Sequence, residues 1–241
     1  MRLLQLEGVS KAFGGVRAVN EVTFEVQDGE LIGVMGPNGS GKTTLFNLIA
    51  GGLAPDSGRI RFRGADVSGW APHRIARTFQ LVRPFMGMSA RDNVLVGGLY
   101  GRERCHRATA EADADRLLAR VGLDGKAHVR AAQLTLIDRK RLELARALAT
   151  SPSLLLLDEF MAGLNPAETE RALALVRELH AEGVTILMVE HIVWALMELS
   201  RRIVVLSAGE KIADGTPEAV AADPVVVDVY LGGAGGSPGH A

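Results

Sequence analysis

Residues Gly36 to Thr43 have the composition and spacing of a loop that binds phosphates. They read Gly-Pro-Asn-Gly-Ser-Gly-Lys-Thr, the pattern G-x-x-x-x-G-K-[ST], directly after the apolar run Leu31 to Met35. Glycines let consecutive backbone N–H groups wrap around a triphosphate at the start of a helix, whose dipole also favours anions. We expect Lys42 to reach the β- and γ-phosphates and the Thr43 hydroxyl to ligate Mg²⁺. The sequence therefore predicts a nucleotide site; the alternative, a chance glycine-rich surface turn, is disfavoured by the flanking strand and helix patterns.

Two adjacent carboxylates, Asp158 and Glu159, follow a second apolar run, Leu154 to Leu157. Ligands of parallel sheets bind at the carboxyl edge of the strands. Asp158 is predicted to hold Mg²⁺ through water, and Glu159 to orient or deprotonate the water that attacks the γ-phosphate. The alternative is an acidic helix cap after a core strand.

Two further side chains stand where they could assist this chemistry. Gln80 ends the segment Ile-Ala-Arg-Thr-Phe-Gln, and its amide could touch both Mg²⁺ and the attacking water. His191 follows the next strand-like run and could hydrogen-bond the γ-phosphate, although a lone histidine is more often structural. Gln80 on its own would indicate little.

The elements that must position these residues indicate an α/β fold. Strand patterns at residues 3–6, 22–26 and 59–63 predict a small antiparallel sheet beside the phosphate loop. Helical spacing at 108–121 and 139–149 predicts an inserted helical lobe. Apolar runs at 154–157, 185–189 and 203–206 alternate with helical segments at 167–180 and 192–199, the pattern of parallel strands covered by crossover helices.

These patterns divide the chain into successive parts of one domain, residues 1–231. The β subdomain and phosphate loop take about 1–80, the helical lobe about 81–150, the second half of the α/β core about 151–220, and a C-terminal segment 221–231. Residues 232–241, rich in glycine and without an apolar pattern, are predicted to be a mobile tail.

Composition narrows the function classes. The 27 basic and 28 acidic residues give a formal charge of −1, so no nucleic-acid partner is expected and membrane contact would go through other proteins. The single cysteine, Cys105, cannot form an internal disulfide, and the first residues lack a signal-peptide pattern, so we expect a cytosolic location. No apolar run approaches the ~18 residues of a membrane span, so in transport another chain would form the pore.

The motifs resemble those of ABC-type ATPase subunits from about Arg2 to Gly232. GPNGSGKTT, TFQ at 78–80, LLLLDE, AGLNPAE at 162–168 and VEH at 189–191 occur in that family's order. The wording KAFGGVRAV, RTFQ, DGTPEAV and DPVVVDVYLG is similar to the first ATPase subunit of branched-chain amino-acid importers. The resemblance implies a P-loop, RecA-like α/β core with a parallel sheet, a small antiparallel β subdomain and an inserted α-helical subdomain.

The resemblance also implies the activity, hydrolysis of ATP with Mg²⁺ to power transport, and the residues that serve it. The implied catalytic residues are Lys42, Gln80, Glu159 and His191, and the implied metal ligands are Thr43, Gln80 and Asp158. The implied nucleotide contacts are Phe13, Asn38, Gly39, Ser40, Gly41, Lys42, Thr43, Thr44 and Thr135. Phe13 would stack on the adenine ring, with a core position as its alternative.

The implied partners are transmembrane permease subunits, a second ATPase subunit and, indirectly, a periplasmic or extracellular substrate-binding protein. Two ATPase domains would close on two ATP molecules at the cytoplasmic face of the membrane, with Gly163 to Asn165 at their interface. Residues 81–88 would contribute to a groove for a permease helix, which Phe85, Met86 and Met88 suit, unless these side chains pack inside the helical lobe.

One segment departs from the family pattern. The signature, normally LSGGQ or LSYGQ, reads Leu134-Thr135-Leu136-Ile137-Asp138. Thr135 and Asp138 can still cap a helix. The usual glycine lets the helix approach a partner's phosphate closely, and Ile137 adds a β-branched side chain there. At ~6 Å, Asp138 would add repulsion of up to roughly 3 kcal/mol. A homodimer would have two compromised sites, which favours a heterodimer; alternatively, the helix N-terminus binds phosphate without glycine. Phe160, where the family has proline, is expected to alter the turn after Glu159.

Other functions compete with amino-acid import. A lipid or lipopolysaccharide exporter has an ATPase of similar length and ending, but the TFQ and AGLNPAE wording favours the importer. An ABC-type protein acting on ribosomes or DNA would need fused domains or a coiled-coil insertion, and a kinase or GTPase would lack the helical lobe. Substrate specificity belongs to the binding protein and the membrane subunits.

Overall fold

The structure, a computed structural model, describes residues 1–70, 75–78, 84–101, 106–190 and 192–231. The chain forms two compact units. The first unit comprises Met1–Trp70 and Val189–Ala241, and the second unit comprises Ala71–Met188.

The first unit contains a four-stranded antiparallel sheet in the order β2-β1-β4-β5. Its strands are β1 (Arg2–Phe13), β2 (Val16–Gln27), β4 (Ser57–Phe62) and β5 (Ala65–Asp66). Alternate side chains of β1, among them Leu4 and Leu6, are buried, as expected for strands with one face on the core. The predicted antiparallel sheet is confirmed, and its strands are longer than the predicted segments.

The first unit also contains the strand that leads into the phosphate loop. Strand β3 (Leu31–Met35) is buried throughout and pairs in parallel with β9 (Arg202–Ser207), to which β10 (Glu210–Gly215) is antiparallel. The helices of this unit are α1 (Lys42–Ile49), α6 (Val193–Leu199), α7 (Pro217–Ala222) and α8 (Pro224–Leu231). At Gly33 a Cβ would lie 2.8 Å from Ser200 Oγ and 3.1 Å from Leu196 Cδ2, so a glycine in β3 permits close packing against α6.

The second unit contains strands in the order β8-β7-β6. They are β6 (Ile75–Arg77), β7 (Leu154–Asp158) and β8 (Thr185–Val189), whose last residue belongs to the first unit. Helix α5 (Pro166–Ala181) connects β7 to β8. It begins with a capping box between Asn165 and Glu168 and with a proline in its first turn, which is a strong start signal.

A helical lobe fills the middle of the second unit. It consists of α2 (Ala90–Tyr100), α3 (Arg107–Arg120) and α4 (Leu136–Ala149), with 3-10 turns at Asp124–Lys126 and Ala131–Gln133. Helices α3 and α4 were predicted, but α2 was not. Its two central glycines weaken the helix pattern, since each costs about 1 kcal/mol relative to alanine. Gly97 has a packing reason, because a Cβ there would lie 2.6 Å from the Arg146 carbonyl oxygen of α4.

The α/β class predicted from the sequence is therefore confirmed, with parallel strands, a separate antiparallel sheet and a helical lobe. The predicted domain boundaries stay predictions, and the predicted tail at 232–241 lies outside the described residues. Among the described helices, none combines the length and the apolar character that crossing a bilayer requires.

Candidate functional site

The phosphate loop depends on glycines at positions that tolerate no side chain. Gly36, Gly39 and Gly41 have φ values of 153°, 78° and 101°. A Cβ on Gly36 would lie 2.2 Å from the Leu206 carbonyl oxygen, and one on Gly41 would lie 2.1 Å from the Ala18 carbonyl oxygen. The loop is thus held between β9 and β2 in a conformation that only glycine adopts without displacement.

Helix α1 begins at the end of this loop with no side-chain cap among the described residues. Its N-cap, Gly41, has no side chain to offer, so the positive end of the helix is presented to a ligand. Lys42 is 7% exposed, and its Nζ donates to the carbonyl oxygens of Gly36 and Pro37, each at 2.8 Å. This ammonium group is therefore held inside the loop, where a phosphate would compete with the two carbonyl groups.

Asp158 ends β7 in a buried, polar setting. Its Oδ2 accepts from Arg77 Nη2 at 2.6 Å, and its backbone N–H donates to Thr78 Oγ1 at 3.2 Å. Its Oδ1 is buried and has no hydrogen-bond partner among the described residues. A buried carboxylate oxygen with spare acceptor capacity fits the water shell of Mg²⁺, so the residues present suit the predicted metal role.

Arg77 is the site residue that sequence reasoning missed. Its signal was a charged residue inside a short strand-like segment, three positions before Gln80. The pairing with Asp158 joins residues 81 positions apart, and no local pattern encodes such a contact.

Glu159 lies in the turn after β7 with φ 51°, the left-handed region. Lys140 Nζ donates to the carbonyl oxygens of Glu159, at 3.1 Å, and Ala162, at 2.6 Å. Phe160 is 6% exposed. The residue that replaces the family's proline thus packs into the core while Lys140 holds the backbone of the turn.

The segment Gly163 to Asn165 follows this turn and leads into α5. Gly163 has φ 80°, and Asn165 accepts from the Glu168 N–H at 2.9 Å while the Glu168 carboxylate accepts from the Asn165 N–H at 3.0 Å. Asn165 therefore has a structural role as a helix cap. Its position at a dimer interface stays a prediction.

Phe13 ends β1 with 49% of its surface exposed, so it is not a core residue. Lys11 Nζ lies 5.8 Å from the centroid of its ring, within the range of a cation–π contact. The exposed ring can accept a stacking partner, and its adenine role stays a prediction. Gln80 and His191 lie outside the described residues, as does the whole segment 79–83 that follows Thr78.

Thr135 is the N-cap of the signature helix α4, as predicted. Thr135 Oγ1 accepts from the Asp138 N–H at 3.2 Å. Asp138 is 4% exposed, and its Oδ2 accepts from Lys126 Nζ at 2.5 Å. Burial alone would raise the pKa of Asp138, but hydrogen bonds from Lys126 and Thr135 outweigh it and hold that pKa below its usual value.

The Asp138 carboxylate is buried and paired with Lys126, which would weaken its repulsion of a partner's phosphate. That repulsion stays a prediction. The two glycines of the family signature are replaced by Leu136, which is 65% exposed in the first turn of α4, and by Ile137.

The three apolar side chains expected at a groove are exposed rather than packed inside the helical lobe. Phe85, Met86 and Met88 are 48%, 43% and 39% exposed. Their backbone is fixed, since the Phe85 N–H donates to Asn93 Oδ1 at 2.7 Å and the Met88 carbonyl accepts from the Ala131 N–H at 2.9 Å. The guanidinium of Arg146 lies 5.3 Å from the Phe85 ring centroid. This rigid patch, Phe85 with Met86 and Met88, lies on the second unit.

The C-terminal helix also belongs to the first unit and bears on the loop. Burial raises the pKa of the Tyr230 hydroxyl, while a backbone hydrogen bond from Gly36 opposes that effect.

A glycine loop between a buried parallel strand and a helix, and a buried aspartate at the end of another parallel strand, are features of P-loop nucleoside triphosphatases. Comparison with known families identifies the family of P-loop proteins to which the chain belongs. Residues 19–162 match the family "ABC transporter", and residues 210–235 match "Branched-chain amino acid ATP-binding cassette transporter". The chain belongs to the ABC transporter ATP-binding family, whose members are ATPases.

Relatives and solved structures agree with this assignment. The chain is 39% identical to the high-affinity branched-chain amino acid transport ATP-binding proteins BraF of Pseudomonas aeruginosa and LivG of Escherichia coli K12, covering 95% of this chain and 98% of each relative. A nucleotide-free ATP-binding cassette from an ABC transporter superposes with a TM-score of 0.83 at 30% identity, covering 95% of this chain and 99% of that one. An ADP-bound cassette gives 0.82 at 31% identity, covering 96% and 99%. The predicted family, fold and enzyme class are confirmed.

Proposed function

We propose that this chain is the ATP-hydrolysing subunit of an importer for branched-chain or related hydrophobic amino acids. The observation that carries the proposal is the match of residues 210–235 to the branched-chain family, because this segment lies outside the general ATPase motifs. It covers β10, α7 and α8 of the first unit. The relatives are named for branched-chain amino acid transport, which supports these amino acids over a lipid as the transported substrate.

Each site residue has a proposed role in ATP hydrolysis. Lys42 would exchange its contacts with Gly36 and Pro37 for the β- and γ-phosphates, and the N–H groups at the start of α1 would donate to the same oxygens. Thr43 would ligate Mg²⁺ directly and Asp158 through water, at its Oδ1. When bound, the ion neutralises charge that develops on the phosphates. Glu159 would orient or deprotonate the attacking water, assisted by Gln80 and His191.

The proposed partners follow from two exposed features of the second unit. The patch of Phe85, Met86 and Met88 suits an apolar helix of a permease subunit, since flexible methionines adapt to a partner's shape. The start of α4, with exposed Leu136, favours pairing with a second, different ATPase subunit whose signature retains its glycines. The complex would sit at the cytoplasmic face of the membrane, where ATP is available.

Uptake of radiolabelled leucine, isoleucine and valine by cells that express the native chain tests this function. Replacing Glu159 by Gln keeps the size of the side chain but removes its basicity, so uptake should fall by about 10²-fold or more. The matched control is Glu170→Gln on the exposed face of α5, which should transport like the wild type. Unchanged uptake in the Glu159→Gln cells would show that the chain does not power this transport.

A further inference from the structure

We propose that Arg77 is a positioning residue for the Asp158 carboxylate. Its guanidinium fixes Oδ2 of Asp158, which would leave Oδ1 available to accept from water bound to Mg²⁺. The inference deepens the proposed function, because it rests on the Mg²⁺ role proposed there for Asp158.

The contact between the two side chains is short and shielded from water. Arg77 Nη2 lies 2.6 Å from Asp158 Oδ2, and the two side chains are 5% and 0% exposed. A carboxylate buried to this degree is costly unless a charge and hydrogen bonds compensate it. The pair is therefore a fixed feature of the second unit rather than a fluctuating surface contact.

The backbone around the pair is equally constrained. Strand β6 runs parallel to β7, with Arg77 opposite Leu156, and the Thr78 N–H donates to the Leu156 carbonyl at 2.9 Å. Thr78 Oγ1 then accepts from the Asp158 N–H. Consecutive residues at the end of β6 thus hold both the side chain and the backbone of Asp158, which is how a rigid element supports a functional group.

A comparison with a second arginine–aspartate pair shows what is unusual about this one. In the first unit, Arg202 engages both carboxylate oxygens of Asp214, with Nε–Oδ1 at 2.7 Å and Nη2–Oδ2 at 3.0 Å. That fork is the usual geometry of a structural pair. Arg77 contacts a single oxygen, and the other, Oδ1, has no partner among the described residues. The one-oxygen contact is what a carboxylate needs if it must also serve a hydrated cation.

Loss of Arg77 should change the affinity for Mg²⁺ more than the affinity for the nucleotide. Without Arg77, the Asp158 carboxylate would lose its fixed orientation, and its acceptor oxygen would no longer point in one direction. Partners that orient a metal-binding group typically contribute 10- to 100-fold to metal affinity. Arg77 should therefore set the Mg²⁺ concentration that the protein requires.

The test measures the Mg²⁺ concentration at which ATP gives half of its maximal thermal stabilisation. Arg77→Met should raise this midpoint by about 10-fold or more, while the ATP midpoint at saturating Mg²⁺ stays within about 3-fold. Arg77→Lys keeps a point charge without the planar fork and should recover part of the shift. The control Arg202→Met breaks the other pair and should lower the melting temperature without moving the Mg²⁺ midpoint.

The outcomes separate this inference from the proposed function. If Asp158→Asn leaves the Mg²⁺ midpoint unchanged, the metal role of Asp158 is wrong. If Asp158→Asn moves the midpoint but Arg77→Met lowers only the melting temperature, or tightens Mg²⁺ binding, Arg77 is merely structural and the inference fails alone. Should Arg77→Met not fold, Arg77→Gln and Arg77→Lys decide by the same midpoint.

Discussion

The N-termini of α1 and α4, both of which we propose to face phosphate, are arranged in opposite ways. The N-cap of α1 is Gly41, which has no side chain and adopts φ 101°. The N-cap of α4 is Thr135, whose hydroxyl accepts from the Asp138 N–H, and exposed Leu136 lies in the first turn of this helix. The dipole favours an anion at both ends, but only α1 leaves its terminal groups unobstructed.

The difference concerns which of the two N-termini has backbone N–H groups available to an anion. At α1 the nearest charged group, Lys42, is turned onto the loop's carbonyl groups and is available to exchange them for phosphate. At α4 the acidic residue, Asp138, pairs with Lys126 inside the helical lobe. We therefore propose the N-terminus of α1 as the phosphate site, whereas the N-terminus of α4 is capped by its own side chains.

The largest effect should come from adding a side chain at Gly41, the N-cap of α1. Gly41→Ala would place a methyl group 2.1 Å from the Ala18 carbonyl oxygen, so the loop must shift. We expect a loss of unfolding free energy of about 2–5 kcal/mol and ATP affinity weakened by more than ~10-fold. Chemical denaturation and titration with a fluorescent ATP analogue measure the two effects.

The matched control for this variant is Gly64→Ala, between β4 and β5. Gly64 also has a left-handed backbone, φ 82°, but a Cβ there meets no atom within 4 Å beyond its chain neighbours. This variant should lose only about 1–2 kcal/mol of unfolding free energy, the cost of a left-handed backbone at alanine, and should keep its ATP affinity. Equal ATP binding by the two variants would contradict the assignment of the loop as the site.

The uncapped N-terminus of α1 was predictable from the sequence, whereas the capped N-terminus of α4 was predictable only in part. Glycines at fixed spacing after an apolar run specify the backbone of the phosphate loop locally, so the motif alone was enough. The N-cap role of Thr135 was equally local. The partner of Asp138 was not, because Lys126 lies 12 positions away and is reached only through the packing of the lobe. Arg77 and helix α2 escaped prediction for the same reason: their rationale is a contact with a distant element.

The next effect concerns the assembly of two ATPase domains. Glu159→Gln should slow hydrolysis and trap any ATP-bound dimer, which size-exclusion chromatography detects. We expect this variant to stay monomeric alone with ATP and to dimerise only when mixed with the second ATPase subunit. Adding Leu136→Gly and Ile137→Gly should let it dimerise alone, because these changes restore glycines at the open face of α4 while keeping the pair of Asp138 with Lys126.

Dimerisation of the Glu159→Gln chain alone on ATP would mean that the start of α4 binds phosphate despite Leu136. The heterodimer proposal would then fail, and the N-termini of α1 and α4 would differ only in how strongly they bind phosphate. If the glycine variant also stays monomeric, the exposed leucine is not what prevents pairing. The control for the added glycines is Tyr100→Gly, at an exposed position of α2. Leu95→Gly would not serve, because Leu95 is buried.

The smallest effect is the pH dependence of the capped terminus. Because the pKa of Asp138 is lowered in the folded chain, its contribution to stability is complete above the unfolded value near 3.8 and is lost as the pH falls through the lower folded value. Asp138→Asn should therefore cost about 1–2 kcal/mol at neutral pH, an estimate reduced for the half-exposed Lys126. The cost should shrink as the pH falls below about 4.

Urea denaturation of both chains from about pH 7 down to about pH 2 follows this difference through the lowered pKa of Asp138. The control Asp228→Asn, at an exposed position on α8, should differ from the wild type by less than about 0.5 kcal/mol throughout. A pH-independent difference would show that the carboxylate charge of Asp138 is not what holds the start of α4. The acidic group would then be free to face a ligand, and the distinction between an open and a capped helix terminus would lose its electrostatic basis.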